Sequence, residues 1–175
     1  KMTQKADEMR VGGDFLIKSE YGRSELTAGT LYVGGDFTVL NDRGYSNFPA
    51  TINHKTVLNG TQKQVVSFEY EGSHFGRLEA TNDQLVFEQN VGWMKQESNI
   101  HAESNGSWLN VYLVDSMDLN GYELTIDGDI TVQGNIDIDN GIMTVNGSMK
   151  HYYKTINLNG GKLNITGNYY CVGYN

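Results

Sequence analysis

The sequence predicts an all-β chain, and within that class a parallel β-solenoid, the right-handed β-helix, with about 20 residues per rung and eight or nine rungs. Three observations predict it. A nine-residue phrase recurs five times, as MRVGGDFLI at 9–17, LYVGGDFTV at 31–39, LTIDGDITV at 124–132, MTVNGSMKH at 143–151 and LNITGNYYC at 163–171. Within the phrase, apolar and polar residues alternate with period two, which belongs to a strand and not to a helix. Finally, 21 glycines accompany a single proline, Pro49. Loop-rich and disordered chains are rich in both residues, so these glycines belong inside regular structure.

The first two copies place Gly13 and Gly35 at the same point of the phrase; the last three place Gly128, Gly147 and Gly167 there, so the spacings are 22, 93, 19 and 20. An aliphatic residue also recurs five positions before the first one of the phrase. The pairs are Leu26 with Leu31, Leu119 with Leu124, Ile138 with Met143, and Leu158 with Leu163, and each encloses a glycine. The unit is therefore strand, tight turn, strand. Overlaying the last three copies gives inward columns Leu124/Met143/Leu163, Ile126/Val145/Ile165, Ile130/Met149/Tyr169 and Val132/His151/Cys171. One such unit cannot bury its apolar face alone; stacking copies about 4.8 Å apart closes a core. The five phrase glycines are read as structural corners, in the inward register, where a side chain would collide as the chain bends. The Asp, Ser or Asn that follows suits a turn, because its short side chain bonds to nearby backbone.

Between 40 and 118 the phrase lapses while strand patterning persists around Val57, Val65, Phe68, Phe75, Leu78, Leu85 and Phe87. The least regular stretch is 91–118, with a surface loop expected at 95–107 because a polar, Gly- and Ser-containing run lies between Trp93 and Trp108. The whole of 1–175 reads as one solenoid domain and as a fragment of a larger protein.

Composition narrows function. A formal charge of −8, from 13 basic and 21 acidic residues, argues against a nucleic-acid partner. One cysteine, Cys171, excludes a disulfide framework. No apolar run approaches the roughly 18 residues of a membrane span.

Two stretches carry a resemblance. LTAGTLYVGGDF, followed by NFPATINHKTVLNGTQKQVVSFEYEGSHFGRLEATN, resembles repeat modules of large bacterial cell-surface and adhesin-like β-solenoid proteins. In those modules a G-x-L-x-V-x-G-D-F rung precedes a V-L-x-G-x-x-x-Q-x-V rung and an F-x-x-L-x-x-x-N rung. Val57, Leu58, Gly60, Gln64 and Val66 match the second, and Phe75, Leu78 and Asn82 the third. The resemblance covers 9–90 well and 119–170 loosely, and 91–118 lies outside it. It implies a secreted or wall-attached stalk or adhesion module, hence an extracellular or cell-surface location.

Candidate chemistry is sparse. Asp127 with Asp129, and Asp137 with Asp139, are read as sharing outward faces at i and i+2, about 6.5–7 Å apart. That spacing would admit Ca2+, or an inverting pair of sugar-cleaving carboxylates. The equivalents one rung on are Asn146 and Ser148, with no basic residue nearby, so corner and solubility duty is the simpler reading. No catalytic set is assigned and no cofactor is expected beyond such calcium. His151 and Cys171 share an inward column and read as core residues. Trp93, Trp108, Tyr153 and Tyr170 are the candidate binding aromatics, for an extracellular glycan or a host or bacterial surface protein. The leading expectation is a non-enzymatic extracellular structural or adhesion module. The alternatives are a carbohydrate-binding module and a fragment of a β-helix polysaccharide lyase or hydrolase.

Overall fold

The computed structural model describes residues 1–18, 25–40 and 47–173, with the side chains of 107 and 113–115 left aside; the rest of the 1–175 solenoid assignment lies outside the described residues. Every regular element is a strand. The chain enters through β1 (Glu8–Val11) and β2 (Phe15–Lys18), then β3 (Gly29–Val33) and β4 (Phe37–Leu40). Next come β5 (His54–Leu58), β6 (Gln64–Phe68), β7 (Phe75–Ala80) and β8 (Leu85–Val91). The middle is β9 (Trp93–Gln96) and the long β10 (Ile100–Asp118). The remainder is β11 (Glu123–Asp127), β12 (Ile130–Asp137), β13 (Ile142–Asn146), β14 (Met149–Tyr152), β15 (Ile156–Asn157), β16 (Lys162–Ile165) and β17 (Tyr169–Val172). All pairings between these strands are parallel, and the coils stack into a β-solenoid of about 7 turns with about 21 residues per turn. Among the described residues no helix is long and apolar enough to cross a membrane.

The register sorts the strands onto three faces. Down the first face runs the outward column Glu8, Thr30, Lys55, Arg77, Lys95, Asp118, Asp137 and Asn157. Down the second, Phe15, Phe37, Val66, Phe87 and Ser104 stack inward, and Ala102, Ile126, Val145 and Ile165 run two residues over. On the third, Val91, Val111, Val132, His151 and Cys171 align. The last three phrase copies pair in the register their overlay predicts. The turns are fewer than eight or nine because early coils are long: 25 residues separate Thr30 from Lys55.

The core between the faces is aromatic at one end and aliphatic at the other. Phe37 lies 5.0 Å from both Phe15 and Phe48 and 4.9 Å from Phe75, ring centroid to centroid. Beyond Phe87 and Trp93 the core continues as Leu124, Ile126, Ile130, Val132, Met143, Val145 and Met149, all buried. Each fully buried side chain of this kind stabilises by about 1.5–3 kcal/mol.

Two expectations are corrected. The 95–107 stretch is not a loop: only 97–99 lie between β9 and β10. Its polarity hid a period-two strand in which Ile100 and Ala102 are buried while His101 and Glu103 are exposed. Ser98 closes the brief gap, its hydroxyl accepting from the Ala80 amide and donating to the Ala80 carbonyl. The irregularity falls later, where Asn105–Asn110 faces only Glu88–Asn90 and the chain bulges.

The five phrase glycines lie at bends between strands, but not as one column. Gly13 and Gly35 turn the chain from the first face to the second; Gly128, Gly147 and Gly167 turn it from the second to the third. The vertex of Gly35 passes through 59–63, 81–84 and 97–99 to the Asn-Gly turn at 119–122. The vertex of Gly128 continues upstream as Gly106 and Gln89, all three with positive φ. What crowds these glycines is also different from an inward clash. A β-carbon on Gly35 would lie 2.5 Å from the carbonyl carbon of Gly13, and one on Gly147 equally close to that of Gly128. At these two the backbone of the coil before stands in the way, because the vertices stack directly on one another; at Gly128 it is the Ser104 side chain, 2.7 Å away. Gly13 itself has nothing within 4 Å.

Candidate functional site

The four candidate metal or catalytic carboxylates flank turns. Asp127 ends β11 and Asp129 follows Gly128 around the vertex; Asp137 ends β12 and Asp139 stands in the next turn with φ +40°. Neither pair shares a strand, so neither presents two carboxylates from one flat face. Each acid instead grips the coil that follows. Asp127 Oδ1 accepts from Asn146 Nδ2 at 2.6 Å, and Asp129 Oδ1 from the Ser148 amide at 2.6 Å. Asp137 Oδ1 accepts from Asn157 Nδ2 at 2.6 Å, and Asp139 Oδ1 from Asn159 Nδ2 at 2.8 Å. The other oxygen of Asp127 lies 2.7 Å from His101 Nε2. The Asn146 bond and then the His101 bond hold its carboxyl below the ordinary value. Among the described residues no group of three or more His, Cys, Asp or Glu is placed to hold a metal.

His101, Glu103 and Asp127 do line one shallow hollow of about 160 Å³ on the second face, with Lys63 reaching Glu103 at 3.7 Å. Its groups are largely spent on one another. His151 is buried, as its column required, whereas Cys171 is exposed because no described coil stacks beyond it.

The four candidate aromatics separate. Trp93 is 1% exposed and packs 6.0 Å from Phe87, so it belongs to the core and offers no binding face. Its place in β9 puts it in an inward column, which sequence polarity around it obscured. Tyr153, at φ +56°, stands beside Tyr152 with ring centroids 5.6 Å apart. Trp108 and Tyr170, 62 positions apart in sequence, converge on the third face at 6.4 Å. Between them the structure adds Lys150, whose Nζ sits 3.7 Å over the Trp108 ring. The phrase overlay places Lys150 in the column of Tyr170, where both interrupt the outward Thr/Asn rows. An ammonium over a half-buried indole contributes about 0.5–1 kcal/mol or somewhat more. The strip of Trp108, Lys150 and Tyr170 is thus one built aromatic surface among the described residues. Compared with protein-family models, with curated proteins and with solved structures, the chain matches none.

Proposed function

We propose that this chain is a non-enzymatic structural and adhesion module of an extracellular bacterial surface protein, a stacked rod that carries binding surfaces. One observation supports the reading above the others: all four candidate carboxylates are tied to the following coil, as described above, and so serve cohesion along the rod. The resemblance of 9–90 to surface-protein repeat modules supports the extracellular bacterial setting. The test is incubation with a panel of soluble and insoluble polysaccharides, with and without calcium, reading sugars released and protein retained. No release in either condition is the expected outcome; release of reducing ends would defeat the reading.

A second reading, a carbohydrate-binding module, is favoured by the convergence of Trp108, Lys150 and Tyr170. Flat aromatic rings held in place bind the apolar faces of sugars. In the same panel, retention that disappears in Trp108→Ala supports it, and retention unchanged in that variant removes it.

A further inference from the structure

The first face carries a feature that no sequence motif announced. A cleft of about 650 Å³ crosses successive coils there, from Lys5 past Ile52 and Asn53 to Arg77, Lys95 and Glu97. Arg77 and Lys95 are register partners on adjacent coils. Three cations therefore face one carboxylate in a chain whose formal charge is −8. Their present partners are distant. Arg77 Nη1 lies 3.8 Å from Glu97, and Lys95 Nζ lies 3.6 Å from Asp118. Ion pairs of this kind between partly exposed groups contribute little, so both cations can turn to a ligand. Arg77 also holds a buried Nε with no hydrogen-bond partner among the described residues. The Nε is held inside, so it is the Nη groups, one of them 3.8 Å from Glu97, that Arg77 offers to the cleft.

The cleft's direction narrows the ligand. It spans four coil-to-coil steps of about 4.8 Å, about 19 Å in all, which suits a linear oligomer better than a compact ion. It also runs across the strands, whose backbone groups are already used by the neighbouring coils. An extended peptide gains its affinity from a free sheet edge, and the strand residues that line this cleft, Arg77 and Lys95, lie in strands already paired to neighbouring coils. Recognition here must come from side chains: cations for carboxylates, the Asn53 amide for hydroxyls, and Ile52, 41% exposed, for the apolar face of a ring.

We propose that this cleft binds a linear acidic oligosaccharide, with its carboxylates on Lys5, Arg77 and Lys95. The site is separate from the Trp108 strip and goes beyond the structural reading of the chain. The experiment is calorimetric titration of the whole chain at low salt with a uronic-acid hexasaccharide and with the neutral hexasaccharide of the same linkage. The acidic sugar binds and the neutral one does not. Affinity falls about tenfold in Lys95→Gln and further in the double variant with Lys5→Gln, it weakens as salt is raised, and it is unchanged in Trp108→Ala. Lys5 is exposed and outside any strand, so Lys5→Gln alone carries the test if Lys95→Gln folds poorly by circular dichroism. Absence of binding, affinity unchanged in the Lys5→Gln variant, or equal affinity for a hexaglutamate peptide would each overturn the proposal. Sugar release, by contrast, would defeat the non-enzymatic reading whatever the cleft binds.

Discussion

Gly147 and Gly13 occupy the same position of the same phrase and differ in what surrounds them. A methyl group on Gly147 would meet the Gly128 carbonyl carbon at 2.5 Å and the Asp129 carboxylate at 2.8 Å, and backbone cannot step aside as a side-chain tip can. Gly147→Ala is expected to cost about 3 kcal/mol, or roughly 6–12 °C in melting temperature for a chain of this size. Gly13→Ala, with open space around it, should melt within about 2 °C of the parent. Differential scanning calorimetry of the two variants checks both, and equal losses would show that conformational freedom, not stacking, decides these positions. The repeated glycine was legible in the sequence as a corner. The source of its crowding was not, because a one-dimensional alignment shows what recurs along the chain and not what lies one coil below.

Among the elements, β6 depends on a side chain that binds like a piece of backbone. Gln64 is fully buried; its Nε2 donates to the Val33 carbonyl at 3.0 Å and to the Gly35 carbonyl at 2.5 Å, and its Oε1 accepts from Asn82 Nδ2 at 3.2 Å. One residue thereby joins three coils at the vertex between the first two faces. Gln64→Leu keeps the bulk but strands these groups away from water, and should destabilise by about 2 kcal/mol in urea titration. A loss under about 0.5 kcal/mol would mean that water replaces the amide. The resemblance marked Gln64 as a motif position without giving it a task; the register assigns the task. β10 shows the opposite limit of sequence reading. Its small and polar residues pair with β8, β11 and β12, and beyond the short alternation at 100–103 neighbours brought from about 20 residues away leave little local signature.

For the whole molecule, stability is the sum of coils and of the contacts between successive coils. The outer strands β1, β2, β16 and β17 leave most of their side chains exposed or half-covered, while the inward columns of β6, β8 and β11 are buried. Amide hydrogen exchange should therefore be fastest in the outer coils and slowest from β6 to β11, as a graded profile. Uniform protection would mean that the coils open only together. The fold class was legible because the strand period and the repeat agree with each other. The surfaces proposed for binding were less so: Trp108, Lys150 and Tyr170 converge, and Lys5, Arg77 and Lys95 line one cleft, only through the stacking.

That the same phrase turns two different vertices bears on how such a gene can grow and shrink. Excising 128–146 would bring Asp127 onto Gly147, a glycine of the same vertex, and remove one complete coil without disturbing the rest. Excising 35–127 would also join phrase to phrase with no visible seam, yet the chain would arrive at the first vertex and leave as though from the second. Unequal crossing-over within 119–171, or within 9–39, thus yields shorter or longer rods in register. Recombination between those two blocks yields a frame that reads correctly and a coil that cannot close.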